Sequence, residues 1–278
     1  MMKNPFSLLL VLSSLIGWQC STPKVTETDN QEKETTESLV WIDEFNSNQL
    51  DTTKWNIIVS NGCPSNCGFG NNELQYYTDQ SQNLEVSNGS LKITALKETF
   101  KDRDYTSAKL ITKNKGDWQY GRIEVSAKLP EGKGTWPAIW MLPTLDRSMD
   151  WPLDGEIDIM EHVGYNQGMV YGTIHTKKFN HIIGTQKSDS LFLGDISSAF
   201  HVYGFEWGQD KMIWTIDNKE YLTLVKGEED YEGWPFDQKF HLILNLAVGG
   251  NWGGKYGVDD SIWPQTFEVD YVKVYQRK

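Results

Sequence analysis

Short runs of alternating apolar and polar residues recur along this chain and constrain its fold more than any other feature. In residues 240–248, apolar side chains occupy every second position from Phe240 to Val248, and residues 123–129 show the same pattern. A period of two places alternate side chains on opposite faces of a β-strand. Gly, Asn, Asp and Pro separate the runs, and no long amphipathic helix or internal repeat is evident. The pattern predicts one all-β domain over residues 39–278, a sandwich of two antiparallel sheets.

The first 20 residues are typical of an export signal. Lys3 supplies a positive charge, and the apolar stretch from Phe6 to Trp18 is shorter than the roughly 20 residues that a membrane span needs. Cys20 follows, which favours a lipoprotein whose Cys20 is lipidated and becomes the mature N-terminus. Trp18 and Gln19 stand where small residues usually precede such a cleavage, so ordinary secretion is the alternative. Both alternatives predict export, with membrane attachment only through a lipid anchor.

Residues 21–38 separate this signal from the predicted domain. They contain no aromatic residue, and Val25 is their one sizeable apolar residue. Such a stretch cannot bury enough apolar surface to offset the entropy lost on ordering. We therefore expect a disordered linker over residues 21–38.

Cys63 and Cys67 are the two cysteines that remain when Cys20 is set aside. They flank a Pro-Ser-Asn triplet, and an exported chain can form disulfides. No second pair of Cys or His residues lies nearby in sequence, which disfavours a metal site. We predict a disulfide between Cys63 and Cys67 that closes a small loop.

Charge and aromatic content limit the class of ligand. The chain has 26 basic and 38 acidic residues, a net charge of -12, and such a surface would not attract nucleic acid or an anionic membrane. A neutral ligand or a cation fits better. The 12 Trp and 12 Tyr residues either pack in the core or stack on flat apolar faces such as those of sugar rings. Trp136 and Trp140 share parity in one run, so they form either a stacking surface or core filler.

The segment over residues 154–162 carries an unusual set of acids. In a regular strand, Glu156 and Asp158 share one face, and the isoleucines that alternate with them share the other. Strict alternation would turn Glu161 toward the core, where an unpaired carboxylate is costly. A single β-bulge near residues 159–160 would insert one extra residue and return Glu161 to the face of the other two acids. Bulges are frequent beside active sites.

Three acids on one face repel one another if all are ionised, so one must hold a proton or bind a cation. Retaining glycosidases need this arrangement, because one ionised carboxylate attacks the anomeric carbon while a protonated one donates to the leaving oxygen. An Asp between the two can hold the nucleophile in place. A calcium site or a solvated acidic strand face would explain the spacing equally well.

The segment Glu-Ile-Asp-Ile-Met-Glu at positions 156–161 resembles the signature of glycoside hydrolase family sixteen. Its form, with an additional residue before the second Glu, is that of the laminarinase-like members. Further segments resemble the family in the expected order across residues 39–278. These segments are residues 71–78, 121–124, 136–143, 171–176, 245–252 and 269–275.

The resemblance implies a β-jelly-roll sandwich whose concave sheet forms a substrate cleft. It implies an endo-acting hydrolase that cleaves β-1,3-glucan with retention of configuration and needs no cofactor for catalysis. Glu156 matches the nucleophile, Glu161 the general acid/base and Asp158 the assisting acid. The positions that match glucan-binding residues are Asn72, Arg122, Trp136, Trp140, His175 and Trp252. The alternatives are a structural histidine at His175 and a loop-packing aromatic at Trp252.

The resemblance also implies a structural Ca²⁺ away from the chemistry, bound by Glu44, the backbone carbonyl of Gly89 and Asp270. Oxygen donors suit this hard cation. The alternative is that Glu44 and Asp270 are ordinary acids at strand ends. The two cysteines near residue 65 depart from the family pattern, so the resemblance does not fix the contacts at that end of the cleft.

We expect a monomer whose partner is a β-glucan polysaccharide, and three alternatives stay open. Within the same class, the substrate could be mixed-linkage β-1,3-1,4-glucan or a marine galactan, because fine specificity lies in loops. A non-catalytic carbohydrate-binding jelly roll would lack an acid, whereas all three are present. In a calcium-dependent adhesion domain the acids would bind metal, and a chelator would abolish function rather than lower stability.

Overall fold

A computed structural model of the protein describes residues 37–277 and shows two packed β-sheets. In chain order the strands are β1 (Glu37–Asp43), β2 (Asn56–Ile57), β3 (Gln75–Tyr77), β4 (Leu84–Ser87), β5 (Ser90–Phe100), β6 (Arg103–Ser107), β7 (Lys109–Ile111), β8 (Asp117–Trp118), β9 (Gly121–Lys128), β10 (Thr135–Pro143), β11 (Glu156–His162), β12 (Met169–His175), β13 (Lys187–Phe192), β14 (His201–Trp207), β15 (Lys211–Ile216), β16 (Lys219–Val225), β17 (Phe240–Val248) and β18 (Gln265–Arg277). Two 3-10 segments, Cys67–Gly70 and Gly164–Asn166, are the helical turns within this range. No helix among the described residues is long and apolar enough to cross a membrane.

The strands form a front sheet and a back sheet. The front sheet has the order β13-β12-β11-β10-β17-β7-β2, with β8 also paired to β17. The back sheet has the order β16-β15-β14-β9-β18-β5-β6-β3, with β1 also paired to β18 and β4 to β5. Pairing between the described strands is antiparallel except between β3 and β6, which run parallel. The predicted all-β sandwich of two sheets is confirmed.

The domain begins two residues earlier than the sequence pattern predicts. β1 starts at Glu37, which pairs with Arg277 of β18 and accepts a hydrogen bond of 2.8 Å from Arg122. These contacts place Glu37 and Ser38 in the back sheet, so the linker does not extend to residue 38 as predicted. The export signal, Cys20 and the rest of the linker lie outside the described residues.

Alternation decides which side chains fill the space between the sheets. On β17, Leu242, Leu244 and Leu246 are fully buried in the core, whereas Asn245 and Ala247 line a cavity on the outer face of the front sheet. Burying a Leu side chain fully contributes about 1.5–3 kcal/mol. The alternating pattern that predicts the strand therefore also separates core from cavity.

Strand β11 contains the predicted β-bulge. Toward β10, Ile159 has no partner, because Asp158 and Met160 pair with consecutive residues. Toward β12, the register slips over the same segment, between Asp158 and Glu161. Ile159 and Met160 are both buried in the core. The extra residue thereby returns Glu161 to the face that carries Asp158.

A hydrogen bond from the back sheet supports this bulge. The indole N–H of Trp214, on β15, donates to the backbone carbonyl of Asp158 at 2.9 Å, and Trp214 is fully buried. Gly172 on β12 leaves room for the indole, since a Cβ there would lie 2.6 Å from Trp214 Cδ1 and 2.7 Å from the Tyr221 hydroxyl. A buried carbonyl without a donor costs free energy of folding, so the hydrogen bond from Trp214 stabilises the strand that carries the acids.

The predicted disulfide between Cys63 and Cys67 is present. The backbone N–H of Cys63 donates to the side chain of Asn61, which in turn donates to the Asp102 carboxylate at 2.9 Å. Asn66, inside the closed loop, lines the front-sheet cavity. The disulfide loop is therefore fixed at one end of that cavity.

We predict that Trp214→Phe lowers the free energy of unfolding by about 1–3 kcal/mol, because the buried Asp158 carbonyl loses its donor. Urea denaturation measures this change. Trp234→Phe is the matched control, since Trp234 is also buried and donates to a backbone carbonyl, that of Gln209 at 3.0 Å, away from the acids. The Trp234→Phe variant should lose a similar free energy of unfolding without changing the pKa of any acid on β11. A Trp214→Phe variant as stable as the wild type would contradict this role.

Candidate active site

The three acids of β11 line one cavity of about 480 Å³ on the outer face of the front sheet. Glu156 and Asp158 face it because they stand two residues apart on the strand, and Glu161 faces it because of the bulge. Strands β7, β10 and β17 contribute the rest of its floor, and loops contribute its ends. The prediction that these three side chains share one face is confirmed.

Two tryptophan N–H groups point at the glutamates. Trp151 donates to Glu156 Oε2 at 3.0 Å, and Trp136 donates to Glu161 Oε1 at 2.9 Å. Asp158 is only 3% exposed, and its Oδ2 has no hydrogen-bond partner. The two glutamates therefore have donors that stabilise their ionised forms, whereas one oxygen of the aspartate between them has none.

Burial and mutual repulsion raise the pKa of all three acids. Burial raises the pKa of Glu156 to about 8, and the Glu161 carboxylate adds to the increase, against the Trp151 N–H and the Lys109 ammonium, which lower it. Burial also raises the pKa of Glu161 to about 7, although the Trp136 N–H opposes the increase. The pKa of Asp158 lies well above its usual range because it is buried beside both glutamates. The cluster therefore retains protons near neutral pH, as acid catalysis by a carboxyl requires.

His175 lies beside two of the acids, opposite Glu156 in the pairing of β11 with β12. Its Nε2 is 3.4 Å from Asp158 Oδ2 and 3.8 Å from Glu156 Oε1. Burial lowers the pKa of His175 to about 4, and the nearby His181 adds to the decrease, so the imidazole is neutral at pH 7. His175 does not line the cavity, and its contacts are with the acids rather than with open space.

Aromatic side chains flank the acids on the same face. Trp136 and Trp140 both line the cavity. Of the two interpretations of their shared parity, a surface on the outer face is therefore correct and core filler is not. Trp140 donates to Asn245 Oδ1 at 2.6 Å, which fixes its ring. Trp252 packs edge-on against Trp136 and Tyr171, with ring centroids 5.7 and 5.1 Å apart. Trp252 thus supports the rim beside Glu161.

Arg122 does not lie in the cavity, so its prediction as a glucan-binding residue is wrong. It belongs to β9 of the back sheet, where it pairs with the Glu37 and Glu124 carboxylates and lies 4.0 Å from the Tyr275 ring centroid. Two acidic partners and an aromatic face satisfy the guanidinium on the far side of the sandwich.

Asn72 also takes a different place from the predicted one. It is exposed, in a turn with a φ of 56°, and its amide donates to Asn251 Oδ1 at 2.7 Å. Its neighbour Asn71 lines the cavity instead. Asn72 therefore fixes the loop that carries Trp252, and Asn71 takes the place in the cavity that was predicted for Asn72.

Sequence reasoning did not single out Trp151, Lys109 or Glu73, all of which line the cavity. The Lys109 ammonium lies 4.7 Å from the Trp140 ring centroid and 4.8 Å from that of Phe69. Burial lowers the pKa of Lys109 and raises that of Glu73. Two signals were available in the sequence, a Trp five residues before Glu156 and the place of Glu73 in the family-like segment 71–78. Lys109 comes from a distant segment that carried no such signal.

The predicted calcium ligands lie beside the middle of β18. Asp43 pairs with Val272 and precedes Glu44, and Leu91 pairs with Val269 and follows Gly89 by two residues. Asp270 is the extra residue of a register slip between β18 and β9. Its Oδ2 accepts a hydrogen bond of 3.2 Å from Ser126. Two carboxylates and a carbonyl are the donors that Ca²⁺ prefers, so the residues fit the ion.

Comparison with known proteins gives consistent matches over most of the chain. A family model described as glycosyl hydrolases family 16 matches residues 68–273. A protein of Rhodothermus marinus described as a β-glucanase is 46% identical over 275 residues, which cover 96% of this chain and 93% of that protein.

Solved structures agree with the sequence matches. The laminarinase from Rhodothermus marinus has a TM-score of 0.83 at 47% identity, covering 87% of this chain and 98% of that one. A variant of SCLam, a non-specific endo-β-1,3(4)-glucanase co-crystallized with 1,3-β-D-cellotriosyl-glucose, has a TM-score of 0.82 at 43% identity. That match covers 87% of this chain and 95% of the other.

We predict that Trp136→Phe raises the pKa of Glu161, because the indole N–H that favours the carboxylate is lost while a ring remains. NMR titration of the labelled glutamate carboxyl carbons measures the change. Trp140→Phe is the matched control, since its N–H donates to Asn245 and not to an acid. A Glu161 pKa that is equal in the two variants would contradict the assignment of this donor.

Proposed function

This chain belongs to glycosyl hydrolases family 16, and from that premise we propose that it is an endo-β-1,3-glucanase that cleaves laminarin-type glucan with retention of configuration. The observation that carries the proposal is the single cavity shared by Glu156, Asp158 and Glu161, with tryptophans on the same face. The names of the Rhodothermus marinus relatives and the glucan oligosaccharide bound to SCLam support β-glucan as the ligand.

Glu156 is the nucleophile in this proposal. Trp151 donates to its Oε2, so Oε1 remains free to attack the anomeric carbon. The new bond joins Oε1 to that carbon while the glycosidic C–O bond breaks, which leaves a glycosyl ester on Glu156. Burial raises the pKa of Glu156 to about 8, and the positive charge of Lys109 opposes that increase, which favours the ionised nucleophile.

Glu161 is the general acid and then the general base. Its raised pKa supplies a carboxyl proton near neutral pH, which passes to the leaving oxygen as the glycosidic bond breaks. The Trp136 N–H then stabilises the carboxylate that remains. In the second step this carboxylate takes a proton from water, and the resulting hydroxyl attacks the anomeric carbon, which breaks its bond to Oε1 and releases Glu156 as a carboxylate.

Asp158 lies between the two glutamates and is the most deeply buried of the three acids. A proton retained on Asp158 removes one negative charge from the cluster, so Glu156 and Glu161 no longer face two charged neighbours. We assign Asp158 the role of assisting acid, which adjusts the charge next to the nucleophile and does not react with the sugar.

The cavity walls supply the contacts for a neutral polymer. Trp140 and Trp136 offer flat apolar surface for sugar faces, and the Lys109 ammonium and the Asn245 amide offer donors for hydroxyl groups. A site that combines aromatic rings with many hydrogen-bonding side chains suits a carbohydrate, which offers flat apolar ring faces and hydroxyl groups.

The alternative within the same class is mixed-linkage β-1,3-1,4-glucan, and the description of SCLam as non-specific favours keeping it open. A galactan is the second alternative. Product profiles on laminarin, lichenan and agarose separate the three, and we expect oligosaccharides from laminarin at the highest rate. A non-catalytic binding domain predicts no products from any of them.

We further propose that the protein is exported and carries a lipid on Cys20, with a structural Ca²⁺ bound by Glu44, Gly89 and Asp270. The apolar N-terminal stretch that ends at Cys20 supports the first part. The neighbouring positions of these three residues along β18 support the second. Mass spectrometry of the membrane-associated protein tests the lipid directly.

We predict that Glu156→Ser lowers the rate of laminarin hydrolysis by at least about 10³-fold, because the hydroxyl cannot replace the attacking carboxylate. The variant should still bind laminari-oligosaccharides in calorimetry, since the walls of the cavity are unchanged. Glu131→Ser, at an exposed acid outside the cavity, is the control and should keep full activity. Undiminished turnover by Glu156→Ser would refute the assignment.

We also predict that removing Ca²⁺ with a chelator lowers the melting temperature more than it lowers kcat, because the proposed ion lies away from the acids. Adding Ca²⁺ back should restore the melting temperature in proportion to RT ln(1 + [Ca²⁺]/Kd). Asp270→Asn should abolish this response, whereas Glu85→Gln, at an exposed acid of β4, should keep it. Loss of kcat at an unchanged melting temperature would contradict a structural ion.

A further inference from the structure

Three metal-ligating side chains meet at the cavity wall. Glu156, Asp158 and His175 each offer one donor atom, and these atoms lie within 4.8 Å of one another. We propose that they form a site for Zn²⁺, and that the ion inhibits the enzyme by occupying the nucleophile. The inhibition rests on the proposed function, whereas the binding itself does not.

The donor spacing matches a tetrahedral ion. Zn–N and Zn–O bonds of about 2.0–2.2 Å separate neighbouring donors in a tetrahedron by about 3.3–3.6 Å. His175 Nε2 lies 3.4 Å from Asp158 Oδ2, within this range, and 3.8 Å from Glu156 Oε1, which a small side-chain rotation would correct. The third pair of donors, on Glu156 and Asp158, lies within 4.8 Å, so side-chain rotation must close that distance as well.

Asp158 supplies an independent sign of a missing partner. Its side chain is 4% exposed, and its Oδ2 accepts no hydrogen bond although it lies beside the imidazole. The proton that Asp158 retains leaves this buried oxygen without a partner, and a cation between it and Nε2 would displace that proton and supply the missing partner. Two adjacent strands fix all three ligands, since Glu156 pairs directly with His175.

The donor set favours zinc over calcium. One imidazole nitrogen and two carboxylate oxygens are typical of Zn²⁺, whereas Ca²⁺ takes six to eight oxygen ligands. Glu156 and Asp158 both line the cavity, so the fourth position of the ion opens toward it. The Trp151 N–H bound to Glu156 Oε2 holds that ligand from behind, as outer partners of metal ligands do.

His175 Nδ1 is the weak point of the site, because it is buried without a hydrogen-bond partner. Lack of such an outer partner weakens metal affinity by about 10–100-fold. We therefore expect a reversible, inhibitory site and not a permanently loaded one. Sugar bound at Glu156 and a zinc ion there exclude each other, so the inhibition should be competitive with substrate.

Calorimetric titration of the full-length protein with ZnCl₂, in excess Ca²⁺ to fill oxygen-only sites, tests the proposal. We expect one Zn²⁺ per chain, at least about tenfold weaker binding in both His175→Gln and Asp158→Asn, and displacement of the ion by laminari-oligosaccharides. His201→Gln is the control, since His201 lies between Asp195 and Asp217, outside the cavity, and should bind zinc like the wild type.

Initial rates on laminarin complete the test. We expect Zn²⁺ to raise the apparent KM and to leave kcat unchanged. Zinc binding that is absent, or that is equal in the wild type and both ligand variants, would overturn the proposed site. Inhibition that lowers only kcat would overturn the proposed competitive mode of inhibition. Zinc binding lost in both variants of a protein that hydrolyses no glucan would uphold the site and refute the proposed function instead.

Discussion

The extra residue in β11 is the feature on which the site depends. Without it, Glu161 would point into the core, and Asp158 and Glu161 could not face one cavity. The Trp214 N–H that reaches the Asp158 carbonyl from the back sheet stabilises this irregular strand, and Gly172 leaves space for that contact. The packing between the two sheets therefore also fixes the direction in which the three acids point.

The electrostatics of the cluster follow from that placement. Three carboxyls share one buried surface, so desolvation and repulsion raise every pKa. The Trp151 and Trp136 N–H groups then favour the ionised forms of Glu156 and Glu161, each at a different carboxyl. The raised pKa values keep a proton within the cluster near neutral pH, and the role of each glutamate follows from its position in the family motif rather than from the order of the two pKa values.

Much of this architecture could be predicted from the sequence, because alternation is local. The run at 240–248 predicts a strand, and the parity break at Glu161 predicts the bulge, since a buried unpaired acid is costly. Arg122, which the family resemblance assigned to glucan binding, shows the limit, because neither a matching motif nor alternation indicates which sheet the strand joins. Lys109 and Trp151 reach the cavity through strand order and loop path, which no local pattern encodes.

The central claim is that Glu156 and Glu161 act together across one bound sugar, and the stereochemistry of the first product tests it most directly. A ¹H NMR time course of laminarin hydrolysis, begun before mutarotation equilibrates the sugars, records that product. Two displacements at one carbon return the β-anomer, which is the result we expect. Initial appearance of the α-anomer would mean that water attacks directly, and Glu156 could then not be the nucleophile.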